Sequence, residues 1–255
     1  MSLPDAVVPS ARIVEQGDPD RFRTVMAAPV PARAVLFPLY AFNVEVARAP
    51  WVTQEAMIAE MRLQWWRDAL QEIAEARAVR KHEVTTPLAS VLTQAAARRL
   101  DEAVAARRWD VYRDPFEDEA HFDRYLDQTA GHLMWTAAEA LGAPADQEQA
   151  VRSVAVAGAL VAFLRAVPKL EEAGRIPLLD GTQDGVAALA RRIRMRLTTP
   201  RLPADARAAL WPALGSSQAL KQIERAPGMV ADGAIPAPVA PWRLSVAALT
   251  GRAML

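Results

Sequence analysis

Apolar positions recur along this chain at three- and four-residue intervals, and no stretch alternates with period two for long enough to predict a sheet. Proline supplies most of the punctuation. The pattern predicts a first helix from about Asp18, with Asp18 as its cap and Pro19 in its first turn. Pro31 opens the next helix, in which Pro38 predicts either a kink or the true start. Pro50 then breaks the chain before residues 53–77, where Thr53, Glu55 and Ala56 form only a partial capping box.

On a helical wheel, residues 59–77 place Ala59, Leu63, Trp66, Leu70 and Ile73 on one stripe and Ile58, Met61, Trp65 and Ala69 on an adjoining one. A polar wedge of Glu60, Gln64, Arg67, Asp68, Gln71 and Glu75 lies between their outer edges. A helix apolar over more than half its circumference predicts a central place in a bundle. The wedge then has two readings, a solvated face or the lining of an internal cavity.

A long helix is predicted from about Pro87 to Arg108, followed by a broken stretch to Asp118. Residues 119–142 form another, with Phe122, Tyr125, Leu126, Thr129, Leu133, Thr136, Ala137 and Ala140 on one face. Gly131 in mid-helix costs about 1 kcal/mol against alanine, which points to close packing or close approach of a bound molecule. Gly142 and Pro144 stop that helix, and the next, 146–167, ends at Pro168. Beyond about residue 175 the chain is less regular. It holds a loop, a basic amphipathic helix at 186–198 and short helices at 203–211 and 216–226. A strap from Pro227 to Pro241 contains four prolines and two glycines. The expected architecture is all-α and a single domain over 1–255.

Composition adds exclusions. Thirty basic and thirty acidic residues cancel, so no global field draws the chain to nucleic acid or anionic lipid, although a local patch stays open. With no cysteine, disulfides, thiolate catalysis and cysteine-held metals are ruled out. His82, His121 and His132 form no paired metal motif. The N-terminus lacks a basic segment followed by an apolar run, so it does not read as a signal peptide. The most apolar stretch, Val154–Leu164, falls well short of the roughly 20 residues that a span needs and reads as a core helix. The default location is cytoplasmic, with a peripheral place at the inner membrane open.

No glycine-rich phosphate loop or nucleophile elbow is present. Arg191, Arg192, Arg194 and Arg196 make a basic run that is either a solvated face or a surface for a phosphate, a lipid headgroup or an acidic partner.

Four blocks go further. Leu39-Tyr40-Ala41-Phe42-Asn43-Val44-Glu45-Val46-Ala47-Arg48 and Arg62-Leu63-Gln64-Trp65-Trp66-Arg67-Asp68-Ala69-Leu70 come first. Tyr125-Leu126-Asp127-Gln128-Thr129-Ala130-Gly131 follows. The fourth runs from Gly158-Ala159-Leu160 through Phe163-Leu164-Arg165-Ala166-Val167-Pro168 to Gly174-Arg175-Ile176-Pro177-Leu178. In order and spacing, across about residues 18–180, these blocks resemble the squalene and phytoene synthase family. The resemblance implies an isoprenoid-synthase fold, an antiparallel helical bundle around a deep apolar cavity that in active relatives holds two prenyl diphosphates. It also implies two aspartate-rich motifs facing each other across the mouth, whose Mg²⁺ neutralises the departing diphosphate.

Those motifs are degenerate here. Where the first should provide carboxylates stand Ala47 and Arg48, with Glu45 the only acid and Val44 in place of an arginine. At the second, Arg165 survives, but Ala166 and Lys169 stand where aspartates are expected. The resemblance therefore implies no catalytic set and no bound metal. It leaves Tyr40, Glu45, Gln64, Asp68, His82, Tyr125, Asp127, His132, Arg165 and Arg175 as candidates to line a cavity or bind a ligand. Asp68 and Asp127 could equally be ordinary ion-pair partners. The divergent branch most like this sequence is the respiratory complex I assembly factor type. A non-catalytic helper is thus expected, binding a protein partner near the membrane or an isoprenoid lipid. The alternative is a prenyl-diphosphate-condensing transferase using Mg²⁺ and a non-standard acid set such as Glu45, Asp68, Glu171 and Glu172. A third reading is a scaffold whose cavity has closed on its own side chains.

Overall fold

The chain is described by a computed structural model over residues 3–53, 55–237 and 239–250, and every regular element among them is helical. Helix α1 (Val8–Gly17) precedes the expected start; its Ser10 hydroxyl donates to the Glu83 carbonyl at 3.2 Å and its Val14 is fully buried. Helix α2 (Pro19–Ala27) begins as predicted, the Asp18 carboxylate accepting from the Arg21 N–H at 2.9 Å. Helix α3 (Val30–Arg48) continues past Pro38, which does not mark its start. The bond lost at Pro38 is outweighed by burial of the turn around it, Leu36, Phe37, Leu39 and Tyr40.

Helix α4 (Ala56–Ala74) corrects the wheel. Its first stripe is buried, with Trp66 only 5% exposed, but on the second stripe Ile58 and Met61 face solvent, Met61 at 65%. The helix therefore sits at the edge of the bundle, packed on α6 (Gln94–Ala106), rather than at its centre. Its polar wedge is a surface. Glu60 pairs with Arg108 at 2.8 Å, Arg67 with Asp101 at 2.7 Å, and Gln64 donates to Asp68 at 2.7 Å.

The single helix expected over 87–108 is instead α5 (Thr85–Ala89) and α6, because Thr93 accepts from the Ala96 N–H at 3.1 Å and starts a new helix. A 3₁₀ turn, Arg107–Asp110, follows. The helix expected from 119 forms as α7 (Glu119–Leu126), a π turn at Asp127–Gly131 and α8 (His132–Ala140). Its predicted face is buried except Ala140. The small residue at 131 is explained by Asp127, whose carboxylate occupies the space a Cβ would need.

Helix α9 (Glu148–Glu172) continues through Pro168, the expected stop, and ends at Gly174, whose φ of +76° favours glycine. It is long and apolar enough to pass for a membrane span by length and composition, yet nine of its side chains, from Val151 to Leu170, are in the core. Helices α10 (Gln183–Arg196) and α11 (Ser216–Arg225) flank a 3₁₀ stretch, Asp205–Ala213. The strap contains a 3₁₀ turn, Pro227–Met229, and leads into an unforeseen α12 (Pro241–Thr250). The basic run of α10 is paired: Arg191 and Arg194 with Glu224, Arg192 and Arg196 with Asp123.

Two apolar clusters result. The larger joins α1–α4, α6, α8 and the 205–214 stretch; the smaller joins Phe116, α7, α10 and α11. Helix α9 serves both, its first turns packing into one and Ala157–Val167 into the other.

Candidate functional site

A cavity of about 180 Å³ opens between α2, α3, α8 and α9, lined by Asp18, Asp20, Arg21, Tyr40, Leu133, Met134, Gly158, Arg165 and Val239 among others. A cavity of roughly 150 Å³ accommodates a molecule the size of benzene, so this space admits one small group and not two prenyl chains. The 205–213 stretch helps to close it. A Cβ at Gly158 would lie 2.9 Å from the Ala213 Cβ, so glycine is what lets that stretch approach α9. Burial pushes the Tyr40 hydroxyl up to about 12, against the opposing pull of Arg21, whose guanidinium stacks 4.8 Å from the ring centroid. Asp18, Asp20, Arg21 and Val239 were not candidates from sequence. Asp18 reads there only as a helix cap, and Val239 lies in the strap.

The acids near this cavity are already engaged. Asp18 caps α2, and Asp20 pairs with Arg23 at 2.5 Å. At the degenerate first motif, Ala47 offers no ligand and Arg48 pairs with Glu45 at 3.1 Å. At the second, Ala166 is equally inert, and Arg165 and Lys169 are exposed cations. Among the described residues no group of three acids or histidines converges to hold a metal ion. The residues present therefore do not fit a Mg²⁺–diphosphate clamp, and Glu45, Asp68, Glu171 and Glu172 do not assemble into a substitute.

Of the ten candidates, the structure brings only Tyr40 and Arg165 to this cavity. Glu45 and His82 border a shallow niche with Arg62, Trp65 and Trp66, the His82 ring 5.2 and 5.7 Å from the two tryptophans. Gln64 and Asp68 bond to each other on the surface of α4. Asp127 accepts two bonds from Arg152, at 2.9 and 2.6 Å. Arg152 also donates to His132 Nδ1 at 3.1 Å, which leaves the ring proton on Nε2, 3.1 Å from the Glu102 carboxylate but out of line for a hydrogen bond. Burial, and then the Arg152 charge, hold the His132 pKa below its ordinary value.

Tyr125 and Arg175 belong to a buried network that sequence reasoning half missed, since neither Arg107 nor Asp110 stood out. The Tyr125 hydroxyl donates to Asp110 at 2.9 Å, and Arg107 donates to both Asp110 and Tyr125, at 3.1 and 3.0 Å. Burial raises the Tyr125 pKa well above the usual phenol range, so it stays a donor. Burial opposes the Arg107 charge, but the Tyr125 and Asp110 oxygens outweigh it and hold the guanidinium more firmly protonated. Arg175 donates to the main-chain carbonyls of Asp110, Trp109 and Tyr112 and lies over the Trp51 and Trp109 rings. Its donors are used to hold the 109–112 turn.

Comparison with known proteins adds the following. The squalene/phytoene synthase family model matches residues 14–179. A "NADH dehydrogenase (ubiquinone) complex I, assembly factor 6 homolog" of Drosophila melanogaster is 28% identical over 175 residues, 65% of this chain and 52% of that protein. The chain thus spans about half the length of that relative. A dehydrosqualene synthase solved in complex with ligand superposes with a TM-score of 0.74 at 16% identity, over 96% of this chain and 94% of its own. Squalene synthase HpnC from Alicyclobacillus acidocaldarius gives 0.66 at 17%, over 87% and 94%. These structural likenesses establish the fold as an all-α isoprenoid-synthase bundle.

Proposed function

The chain belongs to the squalene/phytoene synthase family, and we propose that within it this is a non-catalytic member serving as a peripheral helper in the assembly of respiratory complex I. One observation carries the non-catalytic half. Ala47, Arg48, Ala166 and Lys169 occupy the positions that the family resemblance assigns to metal-binding aspartates, and among the described residues no group of other acids gathers to replace them. Ionising an allylic diphosphate concentrates charge on the leaving group, and without a metal clamp nothing here offsets the barrier. The named complex I assembly factor among its relatives supports the assembly half. The narrow cavity favours a protein partner over a bound isoprenoid lipid. On this reading the chain works from the cytoplasmic side at the inner membrane, needs no cofactor, and contributes surfaces rather than chemistry.

Deleting its gene in the native host and measuring membrane NADH:ubiquinone oxidoreductase activity tests the role. Complex I activity and abundance should fall severalfold and return with the wild-type chain. Unchanged complex I on native gels overturns the assembly role. A squalene- or phytoene-like product from the purified chain with Mg²⁺, NADPH and farnesyl or geranylgeranyl diphosphate overturns the non-catalytic one.

A further inference from the structure

Away from the cavity, a groove of about 190 Å³ runs between α7, α10 and the turn at 178–180. Its floor is Phe122 with Leu178 and Leu189, and the small residues Gly185 and Ala188 leave it open on the α10 side. Leu179 stands at its rim, 47% exposed. The volume suits one leucine- or phenylalanine-sized side chain.

The rim is acidic. Asp180 is fixed in place, accepting from the Thr182 N–H at 2.9 Å and hydroxyl at 2.6 Å, with its carboxylate lying where a side chain at Gly185 would go. Across the groove, the Glu119 side chain is largely exposed and only 3.7 Å from Arg192. That arginine already gives two bonds to Asp123, at 2.5 and 2.9 Å, and Asp123 also pairs with Arg196. Two acids, Glu119 and Asp180, thus line the groove against one base, Arg192, whose charge Asp123 already meets from outside it. The carboxylates disfavour an anionic lipid surface and complement a cation.

We propose that this groove docks a short basic segment of a partner protein, anchored by one apolar side chain in the pocket and held by lysine or arginine against Glu119 and Asp180. The proposal extends the assembly reading but does not depend on it, because docking is measured on the isolated chain. A random peptide library displayed on phage is panned against the immobilised full chain, and the selected peptides are titrated by fluorescence anisotropy. Selected sequences should place an apolar residue beside lysine or arginine. Ala188→Trp, on the exposed face of α10, fills the groove and should weaken them at least about tenfold. Glu119→Lys, fully outside the core, should weaken them about threefold at low salt and by less at high salt. It keeps the test decisive should Ala188→Trp fail to fold. Failure to select any peptide, selection of peptides without a base, or equal binding to both variants overturns the proposal. So does preferential binding of phosphatidylglycerol vesicles that Ala188→Trp abolishes, which makes the groove a lipid site. Each of those failures leaves the role in complex I assembly standing, since the deletion strain reads that separately.

Discussion

Two regions of this molecule retain polar residues that the family resemblance singles out, and they have met opposite fates. In the network under α7, Tyr125 and Arg175 are buried and bonded to Arg107, Asp110 and main-chain carbonyls. At the central cavity, Arg165 stands exposed and makes no ion pair among the described residues. The first region has turned its donors inward, where a missing partner is expensive; the second keeps a free charge facing a space too small for the expected cargo. Retention of a residue type therefore says little about retention of a site. What decides is whether its hydrogen-bonding capacity is still unspent.

The contrast is broken most strongly at Asp110. Asp110→Ala removes the acceptor shared by Arg107 and Tyr125 and leaves the partly buried Arg107 guanidinium without its carboxylate. The expected loss is about 2–4 kcal/mol by urea denaturation. Asp110→Asn, which keeps an acceptor but not the charge, should fall between that variant and wild type. A loss under about 1 kcal/mol for the alanine variant would mean that the network is not what holds the 107–112 turn.

Next in size comes the wall of the cavity. Gly158→Val places a branched side chain against Ala213, and overpacking of this kind costs about 1–3 kcal/mol. If thermal denaturation shows no change, the 205–213 stretch is free to swing away, and the cavity is larger in solution than its 180 Å³.

A smaller effect separates the His132 cluster from the ordinary acid pairs. The native ring is held neutral by burial and by Arg152, while the unfolded chain protonates near the usual value of about 6.5. As pH falls below that value the unfolded state takes up a proton that the native state refuses, so stability declines until the lowered native pKa is passed. Glu72, held down first by its side-chain bonds from Arg80, loses its contribution only in the carboxylate range, below about pH 4.5. Melting temperatures between about pH 7 and 5.5 should therefore drop in wild type and drop less in His132→Gln, whose amide oxygen can still accept from Arg152. Parallel slopes would assign the decline to other groups.

How much of this was legible in the sequence follows the range of the forces involved. Local chemistry reads well: Asp18 with Pro19 marks the start of α2, and Gly142 ends its helix with positive φ. The blocks around Tyr40, Trp66, Tyr125 and Arg165 carry the fold. Rules about breakers fail where tertiary burial overrides them, as at Pro38 and Pro168, and a cap at Thr93 splits a helix whose apolar pattern is continuous. Helix α1 was missed because Val14 and Ser10 gain their partners from distant segments. The site was less legible still. Asp127 and Arg152 are 25 residues apart, Arg175 and the Asp110 carbonyl 65, and no helical wheel connects either pair.

The smallest expected effect belongs to Arg165 and to magnesium, and a null result there is informative. Arg165→Ala removes an exposed charge with no ion-pair partner among the described residues, so stability should stay within about 0.5 kcal/mol of wild type. Any ligand that binds the native state alone stabilises it by RT ln(1 + [L]/Kd) and so raises the melting temperature as its concentration rises. Excess Mg²⁺ should therefore leave the melting curve where it is, because Glu45 is engaged by Arg48 and Ala47 and Ala166 carry no side-chain oxygen. Farnesyl diphosphate could still touch Arg165 and Arg21 as an anion, but Arg175 is buried away from this cavity and turned to main-chain carbonyls. A metal-independent shift that Arg165→Ala abolishes would keep an anion subsite at the cavity mouth. A shift that requires Mg²⁺ would place a metal among acids that the folded chain holds apart, and would erase the distinction between the two regions.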